Sequence, residues 1–267
     1  MIHRVADTPF RVVLESSENG WPVLVLDEWR DAFPWLVQGT TTSGSGLSEA
    51  TRPPFDLGLF SEGSSEDAVR HNWRTLADGL QATAVVHARQ PHGCVVRAWT
   101  GEPDVAEVPC LVDPCDGHIT RTPGVILAVT TADCVPAFVV DPARRAVAME
   151  HAGWRGAAAG ILENALESMA DRFGTRPGDA HLHLGPSICG DCYEVGPEVH
   201  EALGQRVPTS ATPIDLRAIL SNRAVVAGVG ADRISVSGHC TLCGDVGLFS
   251  HRRGDAQRQV GFLGIRV

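Results

Sequence analysis

Residues 146–172 read AVAMEHAGWRGAAAGILENALESMADR, and this stretch decides the fold class. Its first part, Ala146–His151, is a short apolar run that reads as a strand and ends at the turn Gly153-Trp154-Arg155-Gly156. Beyond the turn, Ile161, Leu162, Ala165 and Met169 recur at the interval of one helix face, so the spacing predicts a long helix over about Ala157–Arg172. A strand that feeds a helix through a glycine-bearing turn belongs to α/β architecture.

The pattern continues outward on both sides. Upstream, Ala84–His87, Cys94–Trp99, Val125–Thr130 and Ala137–Val140 alternate with Gly, Pro and Asp breaks and read as strands. Ser64-Ser65-Glu66-Asp67 caps an amphipathic stretch, Ala68–Leu80, whose Val69, Trp73, Leu76 and Leu80 form one stripe. Near the start, Phe10–Leu14 and Trp21–Leu26 are β-rich runs split by polar residues and predict a hairpin. Gly39–Pro54, rich in Thr, Ser, Gly and Pro, predicts an irregular loop. Downstream, Leu182–Leu184, Ile234–Val236 and Gly261–Val267 read as strands, and Pro197–Leu203 and Leu216–Val226 as helices. There is no internal repeat and no linker, so residues 1–267 are expected to form one mixed α/β domain.

The composition is that of a globular chain: 267 residues, 43% hydrophobic and 20% charged. A net charge of −10 has the wrong sign for steering toward nucleic acid or an anionic membrane. Lysine is absent, which removes Schiff-base chemistry and a P-loop lysine and leaves arginine, backbone or metal to hold any anion. Met1–Val13 lacks the apolar core of a secretory signal and no apolar run approaches membrane-spanning length, so a cytoplasmic location is expected. In that setting the eight cysteines read as thiols, metal ligands or redox pairs before a disulfide framework.

Three segments place chemistry where a strand gives way to a turn: Gln90-Pro91-His92-Gly93, Thr131-Ala132-Asp133-Cys134-Val135-Pro136, and His151-Ala152-Gly153-Trp154-Arg155-Gly156. A cysteine with two histidines suits zinc and leaves a fourth position for water or substrate. The three residues match no local zinc spacing, however, and on spacing alone the simpler reading is three unrelated side chains, with Cys134 a buried thiol.

These segments resemble the laccase-domain, or YfiH-type, family of FAMIN-like proteins, once named multicopper polyphenol oxidases. Further matches are Asp116-Gly117, Gly185-Pro186-Ser187-Ile188, Tyr193-Glu194-Val195-Gly196, Cys240-Thr241 and Phe249-Ser250-His251-Arg252-Arg253, so the resemblance covers nearly the whole chain. It implies a layered, cysteine-hydrolase-like sheet with flanking helices and a zinc ion held by His92, Cys134 and His151. It also implies phosphorolysis of adenosine, inosine and methylthioadenosine, and adenosine deamination, so that the partners are a purine nucleoside and phosphate.

For catalysis the candidates are Asp133, Arg155 and His251. Arg155, at a turn that opens a helix, is placed to hold an anion; an exposed helix-start arginine is the competing reading. Asp133 reads as a general base or as a support for the ligands, against a solvated turn aspartate. His251 with Arg252 and Arg253 reads as pocket lining, against a solvated face. Cys134 as a thiolate nucleophile competes with ligation for the same lone pair; the resemblance implies two histidines converging on it, which favours the metal. The chain departs from the family at Thr41-Thr42-Ser43-Gly44 and Asn72-Trp73-Arg74, where relatives carry arginines, which leaves Arg70 or Arg74 as substitutes.

Two Cys-x-x-Cys pairs, Cys189/Cys192 and Cys240/Cys243, read either as a second, structural zinc site or as local thiol pairs or disulfides. The alternative function is a copper polyphenol oxidase, with copper in place of zinc. The chain has 11 histidines but a single His-x-His pair, His181-Leu182-His183, which reads as one face of a strand.

Overall fold

The computed structural model describes residues 10–17, 21–44, 54–101 and 107–267. The strand Ala146–Ala152 lies near the middle of a seven-stranded sheet. From edge to edge that sheet runs Arg11–Val13, Ile234–Ser237, His181–Leu184, Val135–Asp141, Ala146–Ala152, Gly117–Thr120 and Val96–Trp99. A second seven-stranded sheet runs Ser16–Ser17, Val23–Val25, Leu36–Thr41, Gln259–Ile265, Val125–Thr131, Ala84–Ala88 and Cys110–Val112. Both are mixed sheets. Ile234–Ser237 and His181–Leu184 are parallel neighbours, for example, whereas Val135–Asp141 and Ala146–Ala152 are antiparallel.

Alternation along each strand builds the layers. Val147 and Met149 point with Phe138, Val140, Leu127, Val129, Leu263 and Ile265 into the core between the sheets. Ala146, Ala148 and Ala152 point the other way, onto helix Ile161–Phe173 through Ile161, Leu162, Ala165 and Met169. On the outer face of the second sheet, Val85, Ile126, Ala128 and Phe262 meet Val69, Trp73 and Leu76 of helix Glu66–Leu80. The result is four layers, helix, sheet, sheet and helix, which is the layered α/β architecture expected. Strands such as Val125–Thr131 read as continuous apolar runs because both of their faces are covered.

Three expectations are corrected. The helix predicted over Ala157–Arg172 is two, Trp154–Ala158 and Ile161–Phe173, because Gly160 adopts φ +85° and turns the chain between them. The hairpin does not form from Phe10–Leu14: Arg11–Val13 joins the first sheet beside Ile234–Ser237, and Ser16–Ser17 pairs with Val23–Val25 in the second. Gly39–Pro54 begins as strand, since Leu36–Thr41 pairs with Gln259–Ile265; residues 45–53 lie outside the described residues. Among the described residues no helix is long and apolar enough to cross a membrane.

Candidate metal centre

Strand Val125–Thr131 belongs to the second sheet and strand Val135–Asp141 to the first, so Thr131-Ala132-Asp133-Cys134 is a corner at which the chain changes sheets. Cys134 sits at this corner. His151 lies opposite Pro136 in the antiparallel ladder, one strand over. His92 arrives on the turn after Ala84–Ala88, and Gln90 fixes that turn: its amide accepts from Thr130 N at 2.8 Å and donates to Thr130 O at 2.8 Å.

Side-chain ligand atoms of His92, Cys134 and His151 all lie within 4.8 Å of one another. Donors of a tetrahedral zinc ion stand about 3.5 Å apart, so the group needs little adjustment to close on one. The two imidazoles meet edge to face, with centroids 4.8 Å apart. Burial is graded from buried His151 through half-buried Cys134 to exposed His92, so the group opens toward solvent on the His92 side.

Asp116 organises the donors. Its Oδ1 accepts from His151 Nδ1 at 2.9 Å and from the His92 backbone N–H at 3.0 Å, and its Oδ2 accepts from Gly93 N–H at 2.7 Å. The first bond leaves His151 Nε2 as the atom offered to Cys134 or to an ion, the arrangement that fixes tautomer and ring orientation in metal sites. Burial pushes the Cys134 thiol up, but His151 and His92 outweigh it and bring it down to about 6. Burial likewise depresses His151, yet the Cys134 charge and the Asp116 hydrogen bond raise it to about 9. A thiolate is the ligating form of cysteine. The donor set therefore fits a soft or borderline divalent cation.

Glycine is required here by space. A Cβ on Gly153 would stand 3.0 Å from Cys134 Sγ and 3.4 Å from His92 Cδ2, and one on Gly156 would meet Gly93 O at 2.8 Å. Two non-glycine residues of the centre, His92 at φ +62° and Asp133 at φ +85°, are left-handed, a conformation that persists only where surrounding bonds enforce it.

For Asp133 those bonds are visible. Its Oδ1 accepts from Thr241 Oγ1 at 2.5 Å, its Oδ2 from Arg252 N–H at 2.8 Å, and its carbonyl from Ile188 N–H at 3.1 Å. Arg155 is exposed, its guanidinium 4.3 Å from the centre of the Trp154 ring. His251 is exposed on the turn that presents Arg252 to Asp133. Arg253 is tied to Asp255 and the Thr241 carbonyl. Arg70 pairs with Glu66 at the start of its own helix, and Arg74 is exposed on that helix.

Two residues given no role from the sequence belong to the centre. Asp116 is one; the signal was its place in the quoted Asp116-Gly117 match, without a spacing that announces its task. Tyr193 is the other, the single tyrosine of the chain, with Arg252 over its ring at 5.1 Å. Burial, then the Cys134 charge, push its phenol up to about 12 against the pull of Arg252 and Arg155, so it stays a neutral donor.

The four remaining cysteines of interest, Cys189, Cys192, Cys240 and Cys243, form the second such cluster among the described residues. His181 and His183 do not join either group. Both nitrogens of His183 are occupied, by Ser235 Oγ at 3.0 Å and Glu15 Oε1 at 3.0 Å, and His181 packs against Phe33.

Fold and centre together define a layered α/β protein with a three-donor His/Cys group at a sheet-switching corner. The multi-copper polyphenol oxidoreductase laccase family matches residues 37–266, and the chain belongs to that family, whose members include YfiH-type proteins. It is 32% identical to the purine nucleoside phosphorylase YlmD of Geobacillus stearothermophilus, over 95% of this chain and 97% of that one. It is 39% identical to the adenosine deaminase RL5 of an unknown prokaryotic organism, over 66% of this chain and 72% of that one. The crystal structure of YfiH from Bacillus licheniformis superposes with a TM-score of 0.82 at 28% identity, covering 97% of this chain and 99% of that one.

Proposed function

We propose that this chain is a zinc-dependent purine nucleoside enzyme, acting by phosphorolysis of adenosine, inosine or methylthioadenosine, with adenosine deamination as a second activity of the same centre. The observation that carries this reading is the His92/Cys134/His151 group, oriented by Asp116 and open on one side. The names of the relatives support the substrate class: a phosphorylase matches nearly the full length, and a deaminase matches two thirds of this chain. The centre draws on both sheets, which supports residues 1–267 working as one domain.

His92, Cys134 and His151 would hold the ion, and when bound it supplies Lewis acidity toward a substrate or water oxygen. The chain's own groups supply the rest. Arg155, seated over the Trp154 ring, and Arg252, seated over the Tyr193 ring, hold the anionic co-substrate in place of lysine. Tyr193, neutral at physiological pH, offers its hydroxyl as a hydrogen-bond donor to the nucleoside. Asp133 spends both carboxylate oxygens on Thr241 and Arg252, so its contribution is to hold the Cys134 corner and the Arg252 turn in register. His251, exposed on that turn, stands at the rim, where it contacts substrate as it enters.

A multicopper centre needs a much larger set of histidine ligands than the two groups seen among the described residues. Copper in the His/Cys centre, with weak phenol oxidation, is the competing outcome.

The test incubates zinc-loaded protein with adenosine or inosine, with and without phosphate, and resolves the products by chromatography. Free base and ribose-1-phosphate formed only with phosphate support phosphorolysis; inosine formed from adenosine supports deamination. No turnover of either nucleoside, together with copper-dependent phenol oxidation, overturns the proposal.

A further inference from the structure

The two Cys-x-x-Cys pairs meet because of the sheet. Cys189 and Cys192 follow strand His181–Leu184, Cys240 and Cys243 follow strand Ile234–Ser237, and these strands are parallel neighbours, so their loops leave the same edge side by side. Beyond the strands the ladder resumes in a parallel bridge between Ser187 and Cys240, with Thr241 N–H donating to Ser187 O at 3.1 Å. Cys189 N–H donates to Cys240 Sγ at 3.3 Å, the kind of bond that steadies a thiolate ligand.

All four sulfurs lie within 4.8 Å of one another. The Cys189–Cys243 separation is 3.9 Å. A disulfide would bring two sulfurs to about 2 Å. Thiolates around one tetrahedral zinc, each about 2.3 Å from the ion, stand about 3.8 Å apart. The spacing thus matches shared coordination and is nearly twice that of a covalent pair. Ile188, Tyr193 and Leu242 pack around the cluster, with Cys189 and Cys240 buried and Cys243 at the exposed rim. Gly244 is needed immediately afterwards, since a Cβ there would stand 2.3 Å from Cys240 O.

We propose that Cys189, Cys192, Cys240 and Cys243 bind a second zinc ion in a closed, all-thiolate structural site that holds the Asp133–Cys134 corner in place. The link to that corner is direct. Thr241, inside the second pair, donates to Asp133 Oδ1, and Ile188, beside Cys189, donates to the Asp133 carbonyl. Tyr193 follows Cys192 without a spacer. Four protein sulfurs leave no open position, so this ion supports structure and takes no substrate. The proposal stands whether or not His92, Cys134 and His151 hold an ion.

Metal analysis of purified, zinc-supplemented protein tests it. Cys243→Ser, at the exposed rim where folding is least at risk, is expected to lose one zinc per chain relative to wild type, and Cys240→Ser the same. A Cys134→Ala variant is expected to keep that zinc, and its zinc-edge X-ray absorption is expected to show four sulfur neighbours at about 2.3 Å. Zinc content unchanged in Cys243→Ser overturns the proposal, as does a thiol titration of denatured, unreduced protein that finds these cysteines consumed in disulfides. Wild-type protein with one zinc that survives Cys134→Ala but not Cys243→Ser would uphold this site and sink the catalytic zinc reading. The reverse pattern would do the opposite.

Discussion

Asp116 is one carboxylate with three hydrogen bonds that fix two of the three donors: the ring of His151 and the left-handed turn carrying His92. Asp116→Asn keeps the shape but loses the charge that favours His151 Nδ1–H, and its NH2 replaces one of the two oxygens that accept from the His92 and Gly93 backbone N–H groups. Removing such a support typically weakens metal affinity by about 10–100-fold. Competition of the loaded variant against a zinc chelator is expected to show a loss in that range, with the melting temperature of metal-free protein changed far less. Affinity equal to wild type would mean that Asp116 serves only the fold. Gly153 teaches a related lesson: it leaves the sulfur and the His92 ring the space to approach each other.

Among elements, the strands carry an unusual load of buried titratable groups. His87, on strand Ala84–Ala88, is driven down to about 4 chiefly by burial, and His118, on strand Gly117–Thr120, to about 3 for the same reason. Both are neutral in the native state, whereas unfolded chains protonate them near pH 6.5. Their contribution to stability is therefore complete above about pH 6.5 and is lost as pH falls toward 4 and below. Glu150, on strand Ala146–Ala152, works in the opposite sense. It is fully buried, neither carboxylate oxygen has a hydrogen-bond partner among the described residues, and burial raises its pKa well above 4.5. The native state keeps that proton while the unfolded chain releases it, so stability drains away as pH rises above 4.5.

Glu150→Gln removes this drain. The variant is expected to match wild type near pH 4, and its advantage in urea unfolding to widen by about 1.4 kcal/mol per pH unit from about pH 5 upward until the native carboxyl ionises. The acid-side fall caused by His87 and His118 is expected to be steepest in this variant, because nothing opposes it there. Parallel pH profiles for the two proteins would mean that Glu150 is ionised and paired in solution.

At the scale of the molecule, the two sheets approach closely over Gly261. A Cβ at that position would stand 2.6 Å from Met149 Cε and 2.8 Å from Pro136 Cβ, both on the facing sheet. Overpacking of this kind typically costs about 1–3 kcal/mol. Gly261→Ala is expected to lose stability in that range by chemical denaturation. Because Pro136 neighbours the Cys134 corner, metal affinity is expected to drop with it. A variant as stable as wild type would show that the interface yields more easily than its packing implies.

Much of this molecule was legible in its sequence. Apolar periodicity located helix Leu216–Val226 and the strands Val125–Thr131, Ala146–Ala152 and Ile234–Ser237 to within a residue, because each is long or flanked by strong breakers. The quoted motifs contained all three donors of the centre. Hidden from the sequence were the short strands Gly117–Thr120 and Cys110–Val112 and the parting of Arg11–Val13 from Ser16–Ser17, all decided by partners distant in the chain, together with the break at Gly160, where a glycine takes up a left-handed turn. Convergence belonged to tertiary structure as well. His92, Cys134, His151 and Asp116 meet because the chain changes sheets at Asp133, and the thiols of Cys189, Cys192, Cys240 and Cys243 meet because two strands far apart in sequence lie parallel. Residue order carries local preference, while the pairing of strands sets which side chains share a cubic nanometre.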